Sequence, residues 1–420
     1  MSTYIRVVIF AIICCIHSSF CFGYDEFSDV YFPNRIVIEG DDFYLHLKGR
    51  MQIGLHDLEG KGGPGYDSIT DTQTVGTRSP FVALDAFDLA FRVSWHDVFQ
   101  FKSVVSFSTS TAWLDSILFS YSAFIGENYH HTAEAGYGAS IVAIQRDSSR
   151  YPLVGSKFWR HREFHAAYLG RLGLGSASNL KFGFSLGMMR PLKALRIHDS
   201  SEYRGTFSVM GYGDAEVFSG NSVSGTILAG VDVFGVFAEF FGFLGRLSTQ
   251  AGIDRLVSDF MYYRYLPKFN PDTKGGPAYW AGGRLGYEGY GLRVFGEFIY
   301  SVTDLIREYG WYLQGSYVRD FGGRFFSDAK VYFRYEQSRI FGSEDLIRGG
   351  YSLRSPESAN AISWDYDIAT VGIVSDIYRD FVSIRLEYSF IQEMNGVSSR
   401  HIAAKAVDNN ELLLQLEASF

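Results

Sequence analysis

The stretch RDSSRYPLVGSKFWRHREFH, Arg146 to His165, gathers the side chains best able to bind a ligand: Arg146, Arg150, Lys157, Arg160 and Arg162, with His161 and His165. A guanidinium presents a planar fork of donors that matches the oxygens of a carboxylate or phosphate two at a time. The segment reads in one of two ways. Either it folds inward and offers those donors to an anionic solute, or it is an external loop whose cations meet solvent or an anionic surface.

Other candidate chemistry is thin. His161 and His165 stand four apart with Glu163 between them, but a zinc-protease helix needs Glu directly after the first His, and Arg162 occupies that place. In an extended chain the two imidazoles would share a strand face, a surface metal site at best. His130 and His131 read as loop. GNSVSG, Gly220 to Gly225, lacks the spacing of a nucleophile elbow, and no phosphate-binding glycine loop is present. The expectation is no catalytic residue, no metal site and no cofactor, with a Ser–His hydrolase at a lipid-facing rim as the alternative an enzyme would require.

The elements that must position these residues are strands. FYLHLKGRMQIGLH, Phe43 to His56, alternates strictly. Phe43, Leu45, Leu47, Met51, Ile53 and Leu55 fall on one face, with His46, Lys48, Arg50 and Gln52 on the other. The run exceeds the usual globular strand of about 5–6 residues and suits a tilted transmembrane strand of about 9–11. FDLAFRVSW (Phe87 to Trp95) and FQFKSVVSF (Phe99 to Phe107) form a hairpin around His96-Asp97-Val98. The wave returns at Phe164–Leu174, Leu180–Met188, Ile227–Val233, Tyr279–Tyr287, Leu292–Tyr300, Trp311–Val318, Ala329–Tyr335, Ile368–Val374, Val382–Phe390 and the terminal ELLLQLEASF. ILAGVDVFGVFAEFFGFL, Ile227 to Leu244, reads as a hairpin turning near Phe234-Gly235, with one membrane helix as the alternative. AGYGASIVAI, within Tyr129–Ser156, reads as a strand without an evident partner.

Composition agrees: 17% aromatic residues and 45 glycines against 9 prolines favour pleated structure with tight turns. A net charge of −8 gives no reason for a nucleic-acid partner. Residues 1–23 read as a signal peptide, with Arg6 before the apolar Val7–Ile16 and a Cys21-Phe22-Gly23 cleavage site. All three cysteines, Cys14, Cys15 and Cys21, lie there, so thiol chemistry is not expected after export. Residues 24–42 are expected to be a periplasmic extension and 43–420 a barrel.

Alternation alone suits a soluble β-sandwich as well as a barrel. The export signal, the aromatics near strand ends (Phe43, Trp95, Phe99, Phe107), and short turns alternating with long polar stretches such as Asp57–Pro80 favour an all-β, antiparallel, up-and-down transmembrane barrel. About a dozen clear strands, with room for four to six more, give 16 or 18. The faces opposite the apolar ones then line water, with Lys48, Arg50, Arg92, Lys102, Arg284, Arg293, Arg334 and Arg385 as pore-lining cations, interspersed with Asp88, Glu297, Glu336, Glu387 and Glu417. Rings of Arg and Lys select anions, and a mixed wall with a basic lean predicts weak anion preference. The bland alternative is that these charges pair across strands and only keep the lumen wet.

An alternating last strand ending on Phe420 resembles the insertion signal of bacterial outer-membrane barrels, which the barrel-assembly machinery reads. The opening strand, with Gly49, Arg50, Met51 and Gln52, is similar to that of the phosphate-selective porin O/P family. LDSILFSY (Leu114 to Tyr121) and SIRLEYSF (Ser383 to Phe390) resemble strands of the same family, over roughly the first hundred residues after the leader and the last sixty. The resemblance implies a 16-stranded outer-membrane porin of a Gram-negative bacterium, commonly a homotrimer, set among lipid and lipopolysaccharide. Its water-filled channel would be narrowed by an inward loop and would pass small hydrophilic or anionic solutes by diffusion. The alternatives are a plugged or adhesive barrel and an exported β-sandwich that binds a partner.

Overall fold

The computed structural model describes residues 36–39, 42–58, 66–67, 72–73, 80–96, 98–107, 112–144, 146–175, 177–190, 192–196, 208–212, 222–246, 277–303, 306–323, 325–341, 365–378, 381–397, 405–408 and 410–419. The expected leader, 1–23, and Phe420 lie outside them. Sixteen long strands form the wall. They are β1 (Phe43–Leu58), β2 (Phe81–Trp95), β3 (Phe99–Phe107), β4 (Ala112–Ile125), β5 (Tyr129–Gly138), β6 (Glu163–Gly175), β7 (Ser178–Met188) and β8 (Val223–Val233). Then follow β9 (Val236–Arg246), β10 (Pro277–Gly289), β11 (Leu292–Thr303), β12 (Ile306–Asp320), β13 (Asp328–Ile340), β14 (Tyr366–Tyr378), β15 (Val382–Val397) and β16 (Glu411–Ser419).

Each strand pairs antiparallel with the next, and β16 returns to β1 from Arg50↔Ser419 to Leu58↔Glu411, closing the sheet. Closure leaves no edge strand with unpaired backbone groups. Two short strands complete the seam. Ile36–Glu39 pairs with residues 44–47 of β1, below the point where β16 runs out, and Lys405–Asp408 pairs with the far end of β15. The expected N-terminal extension, 24–42, thus contributes one short strand to the sheet.

The alternating pattern does what the sequence predicts. Leu47, Met51, Ile53, Leu55, Phe184, Ile227, Phe240, Leu285, Leu313, Val371 and Leu386 are exposed on the outer face, while the residues between them point inward. At the short-turn rim Trp95, Phe99, Phe234, Tyr290, Phe325 and Phe381 are exposed, as an interfacial aromatic girdle requires. The Ile227–Leu244 segment is a hairpin: Phe234 (φ 54°) and Gly235 (φ 80°) make its two-residue turn. Both positive φ values suit the twist of the flanking strands. Among the described residues no helix is long and apolar enough to cross a membrane.

Two sequence expectations are corrected. His130 and His131 lie in β5, paired with Arg171 and Gly170 of β6, not in a loop. AGYGASIVAI divides: Ala135 to Tyr137 have partners on both sides, Gly138 ends β5 paired with Glu163 alone, and from Ala139 the chain leaves the wall.

Candidate functional site

Where β5 ends, the chain turns into the barrel. Gly138 permits the departure, because a Cβ there would stand 2.7 Å from Leu118 Cδ1. The described residues of 139–162 then run inside the wall and include a five-residue π-helical turn, Gly155–Trp159, with every residue of that turn buried. Gly155 is required by close approach, since a Cβ would meet the Trp159 ring at 2.5 Å.

Burial of so polar a segment demands partners, and the inner wall supplies carboxylates. Trp159 Nε1 donates to Glu297 of β11 at 2.8 Å. Lys157 Nζ donates to Glu308 of β12 and to Ser338 of β13, both at 2.8 Å. Arg150 pairs with Glu336 of β13 at 2.7 Å and donates to Thr370 of β14 at 2.9 Å. Glu387 of β15 accepts the Ser149 N–H at 2.7 Å and its hydroxyl at 2.5 Å. In the reverse direction Asp147 accepts from Lys330 at 2.5 Å and from Gln314. The external-loop reading is thereby overturned: the segment folds inward.

An apolar core lies beneath it. Val142, Val154, Phe158 and Trp159 pack among the inward side chains Phe241, Phe243, Trp280, Phe295 and Tyr312. A second inserted segment adds Met189, Arg190 and Tyr212, and Arg190 donates to the Phe158 carbonyl at 2.6 Å. The interior beside β8–β13 is therefore filled, and Leu153 carries the packing on to Tyr366 and Ile368 of β14 and Ile391 of β15.

This divides the expected site residues. Arg284 and Arg334 point inward but do not line water. Arg284 is buried between Glu239 (2.7 Å) and Glu297 (2.6 Å) and donates to the Val142 carbonyl, and Arg334 is fully buried beside Glu336 at 3.3 Å. Arg150 and Lys157 are anchors with side chains 2% and 1% exposed, not donors offered to a solute. Arg293 is partly exposed and sits 3.7 Å from both Asp147 and Glu288. Two causes act: Arg284 and Arg334 are paired with carboxylates of the wall itself, whereas Arg150, Lys157 and Asp147 of the loop pair with charges on the wall.

The remaining cations gather elsewhere. Lys48, Arg50, Arg92, Lys102 and Arg385 are inward-facing and half-buried, on β1, β2, β3 and β15. His46, Arg92 and Lys102 form one cross-strand row, with Arg92 Nη2 3.3 Å from His46 Nδ1. Arg50 donates to Asp88 at 2.9 Å, and Asp88 accepts from Ser106. On the loop, the described residues of 139–162 that are not buried are Ile144, Arg146, Ser149, Arg160, His161 and Arg162. Four of these six are basic, and the loop's own Asp147 is buried. Arg162 pairs with Asp115 of β4 at 2.5 Å.

The interior core is what the alternation did not reveal. A trace was present: VFAEFFGFLGR of β9 is aromatic in both registers, with Phe240 outward and Phe237, Phe241 and Phe243 inward. Water on one side of the wall does not call for that. Among the described residues no group of His, Cys, Asp or Glu could hold a metal ion.

No protein-family model and no curated protein matches this sequence. Solved structures do match. The outer membrane channel DcaP of Acinetobacter baumannii aligns over 91% of this chain and 99% of its own, at 11% identity and a TM-score of 0.55. The anion-selective porin from Comamonas acidovorans aligns over 90% and 100%, at 10% identity and a TM-score of 0.52. Salmonella typhi OmpF, in its complex with daunomycin, aligns over 92% and 100%, at 11% identity and a TM-score of 0.51. At such low identity the likeness speaks for the fold, and the fold is that of the outer-membrane porins: a closed antiparallel barrel of 16 strands.

Proposed function

We propose that the chain is an outer-membrane porin of a Gram-negative bacterium: a channel passing small hydrophilic solutes by diffusion, with weak anion preference and no chemical step. The observation that carries this reading is that two half-buried surfaces inside one barrel are each rich in basic side chains, of which Arg162 and Arg50 are paired with Asp115 and Asp88. The half-buried edge of the loop bears Arg146, Arg160, His161 and Arg162, and the wall outside the filled part bears Lys48, Arg50, Arg92, Lys102 and Arg385. Cations lining a passage lower the barrier for anions and raise it for cations. The O/P-like opening strand accords with anion preference. In this reading residues 1–23 direct export, the assembly machinery reads the strand ending at Phe420, and the barrel sits as a homotrimer among lipid and lipopolysaccharide.

The test is conductance of refolded residues 24–420 in planar bilayers under a potassium chloride gradient. Discrete channels with a reversal potential on the anion side are expected. The filled part of the interior favours one second reading, a plugged barrel that binds or adheres, which predicts a heat-modifiable barrel without conductance.

A further inference from the structure

Resting on the porin reading, we infer that Tyr151 is the positioning residue of the constriction: its ring holds the guanidiniums of Arg146 and Arg160 at the water-facing edge of the loop and thereby sets the anion preference. Arg146 Cζ lies 5.2 Å and Arg160 Cζ 5.3 Å from the centroid of the Tyr151 ring. Two like charges over one ring repel each other. The negative face of the ring offsets that repulsion and fixes where both cations stand.

The ring is itself braced. Tyr151 is 7% exposed, while both arginines are half-buried with access to water. Trp159 meets Tyr151 edge-on at 5.7 Å and 89°, and Trp159 is tied to Glu297. Arg146 Nη1 also donates to the Ser149 carbonyl at 2.9 Å, and Ser149 is bound to Glu387 of the wall. The cations are therefore referenced to β11 and β15 through a chain of fixed contacts. Planar guanidinium forks fixed in this way would receive carboxylates and tetrahedral oxyanions as well as chloride.

The experiment compares reversal potentials of the refolded chain and its variants in a potassium chloride gradient, with chloride as the probe. Tyr151→Phe keeps the ring and is expected to match the parent. Tyr151→Leu removes it and is expected to lower the chloride-to-potassium permeability ratio about two- to fivefold, the factor a half to one kcal/mol of lost cation–π attraction represents. Arg146→Gln/Arg160→Gln should lower the ratio at least as far. If Tyr151→Leu does not yield a heat-modifiable barrel, Tyr151→Met removes the ring while filling its space and is read in the same way. An unchanged ratio in the ring-less variant overturns the inference, and so does an equal fall in Tyr151→Phe, which would assign the effect to the hydroxyl. A parent that does not conduct defeats the porin reading, and one that conducts but is cation-selective defeats the anion preference; either outcome is read before any variant.

Discussion

Lys157 Nζ reaches Glu308 at 2.8 Å from the opposite end of a 151-residue separation, with the two side chains 1% and 4% exposed. A buried pair of this kind is costly to break from one side, because the surviving charge is left without its partner, and such a loss amounts to about 3–5 kcal/mol. Lys157→Met and Glu308→Met are each expected to lower the barrel's urea midpoint and to raise open-channel noise. The double variant should recover most of the loss, because it leaves no orphan charge. Additive losses would mean that the pair does not anchor the loop.

Asp147 links the loop to acidity. Burial would raise its carboxyl, but Lys330 and Arg293 outweigh burial and hold it below the ordinary aspartate range. A folded-state pKa below the unfolded value contributes stability that is present above the unfolded pKa and is lost as pH falls through the folded one. Acidification below the usual aspartate range should therefore release the loop from Lys330, seen as rising current noise. Asp147→Asn should be noisier at neutral pH and show no further change across that window.

The outer face allows a test of orientation. Val371, near the middle of β14, is 49% exposed and lies beside Phe333 and Tyr388 on neighbouring strands. Val371→Arg should cost about 2–4 kcal/mol of folding free energy in lipid vesicles, the penalty for arginine near the bilayer midplane. Lys102→Gln, on the inner face, should stay within about 0.5 kcal/mol of the parent.

Gly372 tests the anchoring of the loop through the wall. A Cβ there would stand 2.3 Å from the Tyr332 ring, and the Tyr332 hydroxyl donates to Glu387, which in turn holds Ser149. Gly372→Ala is expected to displace the phenol and destabilise the protein by about 1–3 kcal/mol, with noisier channels of unchanged mean conductance.

The barrel was legible because a lipid-facing wall imposes a two-residue period that no turn chemistry can disguise, as Phe43–His56 and ELLLQLEAS show. Which side chains face inward was legible for the same reason: Arg50 and Arg92 need only the correct parity. Whether a cation meets water was not legible. Arg284 and Arg385 share their parity, but the inward loop covers the former and leaves the latter half-exposed. That difference depends on contacts such as Arg284 with Val142, 142 residues apart, and no local pattern encodes them. His130 and His131 were misplaced because paired histidines carry no strand signal, although Tyr129, Ala133, Ala135 and Tyr137 around them alternate outward.

The proposed passage runs beside a filled part of the interior, and thiol accessibility distinguishes the two sides. Residues 24–420 contain no cysteine, so single cysteines can be placed at Lys48, Lys102 and Arg385 on one side and at Leu228 and Ser301 on the other, the latter two 7% and 0% exposed. With the refolded barrel in vesicles and a membrane-impermeant thiol reagent, labelling is expected at the first three and none at the last two. Equal labelling at all five sites, or none at any, would contradict that arrangement.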